Sequence, residues 1–366
     1  MFIKEIVRSM FQIAYSGATR FNDSYNVLFP RYNMTLLPVI GSCVNNDCRV
    51  FFLPYVKEDR VFDWRRFDQN DKLFMIRFDS FLSKAKEYLR NNAIDFFVVD
   101  RMTRGDLWLH AILQACKVTG TKAIYLEHGE TGSIHPDIEF DRILNYDYFY
   151  ASNTDMKRHM QKQVQKYYTV SKCIIREWNR PKILPKKQSK VHRILYAPQF
   201  IEADRFNQLF PQTLQYKHRE RLVKEFDILQ DETGVSTIWK TFKSGNLLYD
   251  PIKDICKDYQ VEYVDDDSFN WCLSRSSMVI TDCISTTIYD AIDYGLPVLC
   301  LRYSKAAPIR ESILKEFGNS IFIYDYIDQA VERIIHFVAA CLGDNESNYI
   351  PIIERKPDKF PWENLI

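Results

Sequence analysis

The chain has 366 residues, with 49 lysines and arginines against 48 aspartates and glutamates, a formal net charge of +1, and 46% hydrophobic residues. That length suits two domains or one large one, and the apolar share excludes long disordered stretches. The missing basic excess argues against a nucleic-acid partner, and no apolar run reaches the about 20 residues of a membrane span.

Near the start, Phe2, Ile3, Ile6, Val7, Met10 and Ile13 fall at helical spacing. Charges interrupt them, so the segment does not read as a signal peptide. Such a stripe packs on a core; a second reading lays it on a membrane surface. Met34–Ile40 and Val50–Tyr55 read as short strands, and 72–90 as a helix of mixed charge. Ile94–Asp100 is an apolar, β-branched strand that ends in an acid. A helix follows over 106–118, then a strand over Lys122–Leu126 that runs into Glu127, His128, Gly129 and Glu130. A strand over 143–151 precedes a helix over 155–168, which Ser152 or Asn153 can cap.

The segment 179–193 holds Pro181, Pro185 and a cluster of basic residues, and reads as a solvated linker. The alternation then restarts. Strands are expected at 193–197, 236–241, 261–264, 278–282, 298–301 and 320–324. Helices are expected at 218–229, 251–258, 268–275, 286–294, 309–317 and 328–341. Strands separated by helices imply parallel sheets covered on both faces. The expected fold class is therefore α/β, with two Rossmann-like, doubly wound domains. The expected boundaries are 1–180 and 191–345, with a tail over 346–366 that either frays or crosses back to the first domain.

The nine cysteines are scattered and odd in number, which reads as reduced core thiols of a cytosolic chain. The closest two in sequence, Cys43 and Cys48, lack the second pair a zinc site would need.

In open α/β sheets the ligand site lies beyond the carboxyl ends of the strands. Four segments fall there. A strand ends at Asp282, and a short loop delivers Ser285, Thr286 and Thr287 to a helix start, where free N–H groups and hydroxyls suit a phosphate. Plain capping by Ser285 or Thr286 explains the same residues, and the spacing leaves both open. Gly295 reads as the cap at the far end of that helix. His128, flanked by Glu127 and Glu130, offers an acid/base group with an orienting partner, or a structural hydrogen bond. Lys240 and Lys243 leave a strand end as cations for a diphosphate, or as solvated lysines. The acids 265–267 suit a helix cap, a ribose or a metal. Asp100 closes its strand as a further candidate acid. No Walker loop and no dinucleotide glycine fingerprint is present, which weighs against a kinase, an ATPase and a nicotinamide enzyme.

Several of these segments line up with a known family. Ile194-Leu-Tyr-Ala-Pro198, the Asp282-Cys-Ile-Ser-Thr-Thr-Ile-Tyr-Asp290 turn and helix, and the His128-Gly129 pair resemble the glycerol-phosphate and ribitol-phosphate transferases of teichoic acid synthesis and the related capsule and lipopolysaccharide transferases. The resemblance implies the two-domain GT-B fold, with the donor nucleotide on the second domain and the acceptor on the first across a cleft. It implies a cytoplasmic transferase, at the inner face of the membrane, that moves a sugar or polyol phosphate to a growing surface glycan. In that frame Ser285, Thr286, Thr287 and Asp282, with Lys240, Lys243, Pro198 and Asp290, bind a CMP-, CDP- or UDP-linked donor. His128 or a neighbouring Glu acts near the transferred group, with Asp100 as a further acid, and the acceptor is a glycan or lipid-linked glycan. No cofactor or catalytic metal is implied. The family's histidine-proline pair is missing after Trp239-Lys-Thr-Phe242, and the same fold also serves epimerases of nucleotide-linked amino sugars and non-catalytic assembly scaffolds.

Overall fold

Short runs of alternating apolar residues dictate the architecture. Phe97 and Val99 share one apolar cluster, and their neighbours Phe96 and Val98 another. Ile194 and Tyr196 lie in a third cluster and Leu195 in a fourth. A strand alternates its side chains between two faces. Cores on both faces therefore mean a sheet covered twice, as parallel sheets require.

The computed structural model describes residues 24–30, 36–52, 71–100, 107–127, 145–167, 173–178, 191–198, 212–241, 250–265, 269–306, 309–343, 345–354 and 356–364. They separate into two compact units. The first takes the described residues up to Trp178 together with Glu354 and 356–364; the second takes 191–353.

In the first unit, strands β1 (Asn26–Phe29), β2 (Arg49–Phe52), β3 (Phe96–Val99), β4 (Lys122–Leu126), β5 (Tyr148–Ala151) and β6 (Ile174–Glu177) form one parallel sheet, in the order β2-β1-β3-β4-β5-β6. Its helices are α1 (Leu37–Asn45), α2 (Asp71–Asn91), α3 (Leu107–Thr119) and α4 (Thr154–Tyr167). In the second unit, β7 (Arg193–Ala197), β8 (Ser236–Lys240), β9 (Val261–Val264), β10 (Met278–Thr281), β11 (Val298–Tyr303) and β12 (Ile321–Tyr324) pair in the order β12-β11-β10-β7-β8-β9, again all parallel. Its helices are α5 (Gln212–Thr233), α6 (Ile252–Asp258), α7 (Phe269–Ser274), α8 (Thr286–Asp293), α9 (Glu311–Phe317) and α10 (Ile327–Leu342). The doubly wound α/β class holds for both units.

Several expectations change: the strand expected over 143–151 begins at Tyr148, and β6 lies in a stretch where no strand was expected. The apolar run expected as a strand over Met34–Ile40 enters helix α1, with a proline in its first turn, where the missing N–H is harmless. Val39, Ile40 and Cys43 then form its buried stripe, and the strand of this region is β1, which ends at Phe29. The helix expected over 218–229 is α5, which begins at Gln212 and runs to Thr233.

Glu354 and 356–364 lie as a strap on the first unit. Phe360 stacks on Trp362 at 4.9 Å, and Trp362 meets the Phe96 ring edge-on at 5.6 Å. Trp362 Nε1 donates to Ser42 Oγ at 3.2 Å, and the Tyr150 hydroxyl donates to the Lys359 carbonyl at 2.9 Å. The Glu177 N–H donates to Asp358 Oδ2 at 2.8 Å, and Lys157 pairs with the same oxygen at 2.8 Å. Partial burial works against ionisation of Asp358, but Lys157, the Glu177 N–H and Arg176 together hold its carboxyl below the ordinary range. A depressed folded pKa means stabilisation that is present above the unfolded value of about 3.9 and lost as pH falls through the folded one. Asp358→Asn should therefore flatten the acid limb of a stability-against-pH curve below about pH 4, with little change in that limb's slope sinking the assignment.

Candidate functional site

The second sheet reverses its winding between β7 and β10, the two strands that start its two halves. Ligands of doubly wound folds bind beyond the strand ends at such a point. Here those ends are Ala197, followed by the buried Pro198, and Thr281, followed by Asp282. The two ends are knitted by Thr281 Oγ1, which donates to the Ala197 carbonyl at 3.0 Å.

Asp282 gathers two arginines. Arg219, from α5, donates through Nη2 to Asp282 Oδ2 at 3.1 Å. Arg302, near the end of β11, donates through Nη1 to the Asp282 carbonyl at 3.2 Å. The Arg219 side chain is 7% exposed and that of Asp282 19%. Arg302 is 6% exposed. Two buried guanidiniums thus meet at one residue, Arg219 on its carboxylate and Arg302 on its carbonyl. Lys240, the last residue of β8, is 4% exposed and donates through Nζ to the Thr241 carbonyl at 2.6 Å. It is not a solvated lysine. A buried ammonium keeps its charge only where carbonyls or anions meet it.

The loop after Asp282 leads to the start of α8. Ser285 is its N-cap residue in extended conformation, yet its side chain makes no capping hydrogen bond. Its hydroxyl oxygen instead accepts from Cys283 Sγ at 3.5 Å. Burial and the Asp282 charge push the Cys283 thiol up to about 11, against weaker help from Ser285. It is thus a neutral S–H donor near pH 7, not a nucleophile. The Ile288 N–H turns back to the Ser285 carbonyl at 3.0 Å. The N–H groups of Thr286 and Thr287 lie in the first turn, where a helix has no acceptor of its own. Of the two explanations for these residues, capping by the Ser285 side chain is not what the structure shows. Ser285 and Thr286 are half-buried, Thr287 is buried, and the half-buried Asp290 sits one turn further along α8. Gly295, at φ +77°, closes the far end: the Leu296 N–H reaches back to the Ala291 carbonyl at 3.0 Å.

Behind Arg219, the His218 Nδ1 lies 3.2 Å from the Tyr324 hydroxyl, and its ring meets the Tyr303 ring edge-on at 5.6 Å. Burial lowers the His218 pKa, so its imidazole stays neutral and adds no charge beside the arginine.

In the first sheet the winding reverses between β1 and β3, and the buried Asp100 follows β3 there. Glu127, also buried, follows β4. Its Oε2 accepts from the Ser152 N–H at 2.9 Å and from the Ser152 hydroxyl at 2.7 Å, tying the ends of β4 and β5 together. Asn153 Oδ1 accepts from the Met156 N–H at 2.8 Å, the expected cap of α4. His128, Glu130 and Lys243 lie outside the described residues, as do 1–23, 266 and 267. Asp265 pairs with Lys253 at 3.0 Å. Among the described residues no cluster of three His, Cys, Asp or Glu side chains could hold a metal ion, and no helix is long and apolar enough to cross a membrane.

Arg219 and Arg302 are absent from the sequence-based set. Arg302 carried a signal: an arginine that ends an otherwise apolar parallel strand must find a partner at the sheet edge. Arg219 carried none, because Tyr216-Lys-His-Arg-Glu-Arg221 reads as a solvated helix face.

No protein-family model matches the chain, and no curated protein does. Solved structures do. The S. aureus MnaA-UDP co-structure is similar with a TM-score of 0.58, at 13% identity over 93% of this chain and 94% of that one. A putative UDP-N-acetylglucosamine 2-epimerase from Listeria monocytogenes gives 0.55, at 10% identity over 90% and 91%. UDP-GlcNAc 2-epimerase from Neisseria meningitidis, bound to UDP-GlcNAc, gives 0.54, at 13% identity over 90% and 95%. The chain has the GT-B fold. At these identities the likeness establishes the two Rossmann-like units and nothing finer.

Proposed function

We propose that the protein is an enzyme acting on a nucleotide-linked sugar, and that it transfers the sugar, or a polyol phosphate, to a growing bacterial surface glycan. The observation that carries this reading is the pair of buried arginines converging on Asp282 beside the uncapped start of α8. Cations and oriented N–H groups fixed at one place suit a group that arrives as a diphosphate or monophosphate ester and leaves with more negative charge. In this reading Thr286 and Thr287 bind phosphate oxygens through N–H and hydroxyl. Arg219, Arg302 and Lys240 neutralise the charge that builds on the leaving phosphate, the service a metal ion gives elsewhere. Asp282 touches no substrate; it aims the two arginines. The acid/base group is His128 with Glu130, or Asp100.

A second reading is epimerisation of a nucleotide-linked amino sugar. It is favoured by the structures of similar fold, which include a 2-epimerase bound to UDP-GlcNAc and a putative UDP-N-acetylglucosamine 2-epimerase. Both readings need the same phosphate site, and the products separate them. A transferase releases nucleotide only when an acceptor is supplied. An epimerase changes the sugar with no acceptor at all.

The test is a thermal-shift screen of the purified protein against CMP, CDP, UDP, GDP and ADP. One nucleotide should stabilise the fold by about 2.7 kcal/mol at 100 times its Kd, and Thr286→Ala with Thr287→Ala should remove most of that shift. If none of the five moves the transition, the nucleotide-linked reading fails, transferase and epimerase together.

A further inference from the structure

Helix α1 ends in a turn that brings two thiols together. Asn46 is the C-cap and Asp47, at φ 53°, takes the left-handed conformation that follows it. The Asp47 N–H donates to the Val44 carbonyl at 3.2 Å and the Cys48 N–H to the Cys43 carbonyl at 2.9 Å. These are the two hydrogen bonds of a Schellman motif. That motif sets the side chains three residues before the cap and two after it against each other, a contact made elsewhere by two apolar groups. Here the two positions hold Cys43 and Cys48, both buried in the same apolar cluster, with the Cys48 thiol donating to the Asn46 carbonyl at 3.6 Å. Summing standard backbone distances along the Cys48-to-Cys43 hydrogen bond caps their Cα separation at about 6.8 Å, inside the range a disulfide spans.

We propose that Cys43 and Cys48 form a modification site, a dithiol that hydrogen peroxide converts to a reversible intrachain disulfide. Cys48 is the attacking residue: it is 8% exposed against 0% for Cys43. The neighbouring Cys43 thiol lowers the Cys48 pKa against burial, while burial raises that of Cys43. Elsewhere burial pushes the thiols of Cys116, Cys173, Cys256 and Cys341 up to about 12, where thiolate is scarce. The Cys48 thiolate attacks one peroxide oxygen. An S–O bond forms, the O–O bond breaks, and the hydroxide released takes a proton to become water. The Cys43 sulfur, giving its proton to the departing hydroxide, then attacks the Cys48 sulfenic acid. The S–S bond forms, the S–O bond breaks, and a second water leaves. Two thiols are oxidised to one disulfide while one peroxide is reduced to two waters.

The inference stands apart from the nucleotide site, and so does its test. The folded full-length chain, treated with dilute hydrogen peroxide, should lose two of its nine free thiols to maleimide labelling. Peptide mass analysis should find Cys43 and Cys48 joined, two hydrogens lighter, and dithiothreitol should restore both. Cys48→Ser, which changes only one sulfur to oxygen at the less buried position, should fold and show no linked product. The proposal is overturned if the labelling count stays at nine, if Cys48 is oxidised to sulfinic acid while Cys43 still labels, or if the linked peptide forms only in the urea-unfolded chain.

Discussion

Replacing Asp282 with alanine should destabilise the second unit by about 2–3 kcal/mol and abolish the nucleotide-induced thermal shift. Breaking a buried ion pair by removing one partner costs about 3–5 kcal/mol, chiefly because the remaining charge stays buried. The remaining charge here is Arg219, with a side chain 7% exposed. The lower figure reflects the partial exposure of Asp282 and the further contacts Arg219 keeps. The reverse change, Arg219→Ala, strands a better solvated carboxylate and should be milder for stability, yet as severe for nucleotide binding. Asp282→Asn keeps an acceptor for the guanidinium and should fall between parent and alanine. Urea titration of the four proteins, with and without the stabilising nucleotide, checks the series. An alanine variant that unfolds at the parent's midpoint and still shifts with nucleotide would remove Asp282 from the site.

The largest effect on the first unit is expected from Trp362→Ala, about 3–5 kcal/mol. Trp362 is fully buried, stacked on Phe360, edge-on to Phe96, and hydrogen-bonded to Ser42. Truncation therefore leaves a cavity in the core that α1 and β3 share, and the Ser42 hydroxyl loses a donor. Trp362→Phe keeps the stack and part of the volume and should recover more than half of the loss. The measurement is the urea midpoint followed by circular dichroism. A midpoint that does not move would mean that the strap is an ornament of the fold rather than part of its core.

How much of this was legible in the sequence differs between sheets and site. Ile194-Leu-Tyr-Ala197 and Lys122–Leu126 announce themselves as strands because both faces are buried, and apolar residues then run without a break. Met34–Ile40 misled for the same reason: an apolar run of seven looks alike in a buried strand and in the buried side of a helix, and Pro38 was the distinguishing residue. The start of α8 was legible as a candidate phosphate site, since the strand-loop-hydroxyl pattern is local. That its Ser285 leaves the helix uncapped was not, because the hydroxyl's alternative partner, Cys283, competes through three-dimensional geometry. Arg219 escaped because its meaning is non-local. Arg219 and Asp282 are 63 residues apart, and only the pairing of β7 with β10 brings their segments together.

The strap has a consequence for the order of events during synthesis. The described residues of the second unit lie in one stretch, 191–353, all of it translated before Trp362. The first unit is begun earlier but depends on Trp362, which is translated 184 residues after Trp178. At about 5–20 residues per second, that is a wait of roughly 10–40 s during which Phe96, Tyr150 and Trp178 lack the rings that cover them. The described part of the second unit is therefore synthesised whole before the first unit receives the last ring of its core.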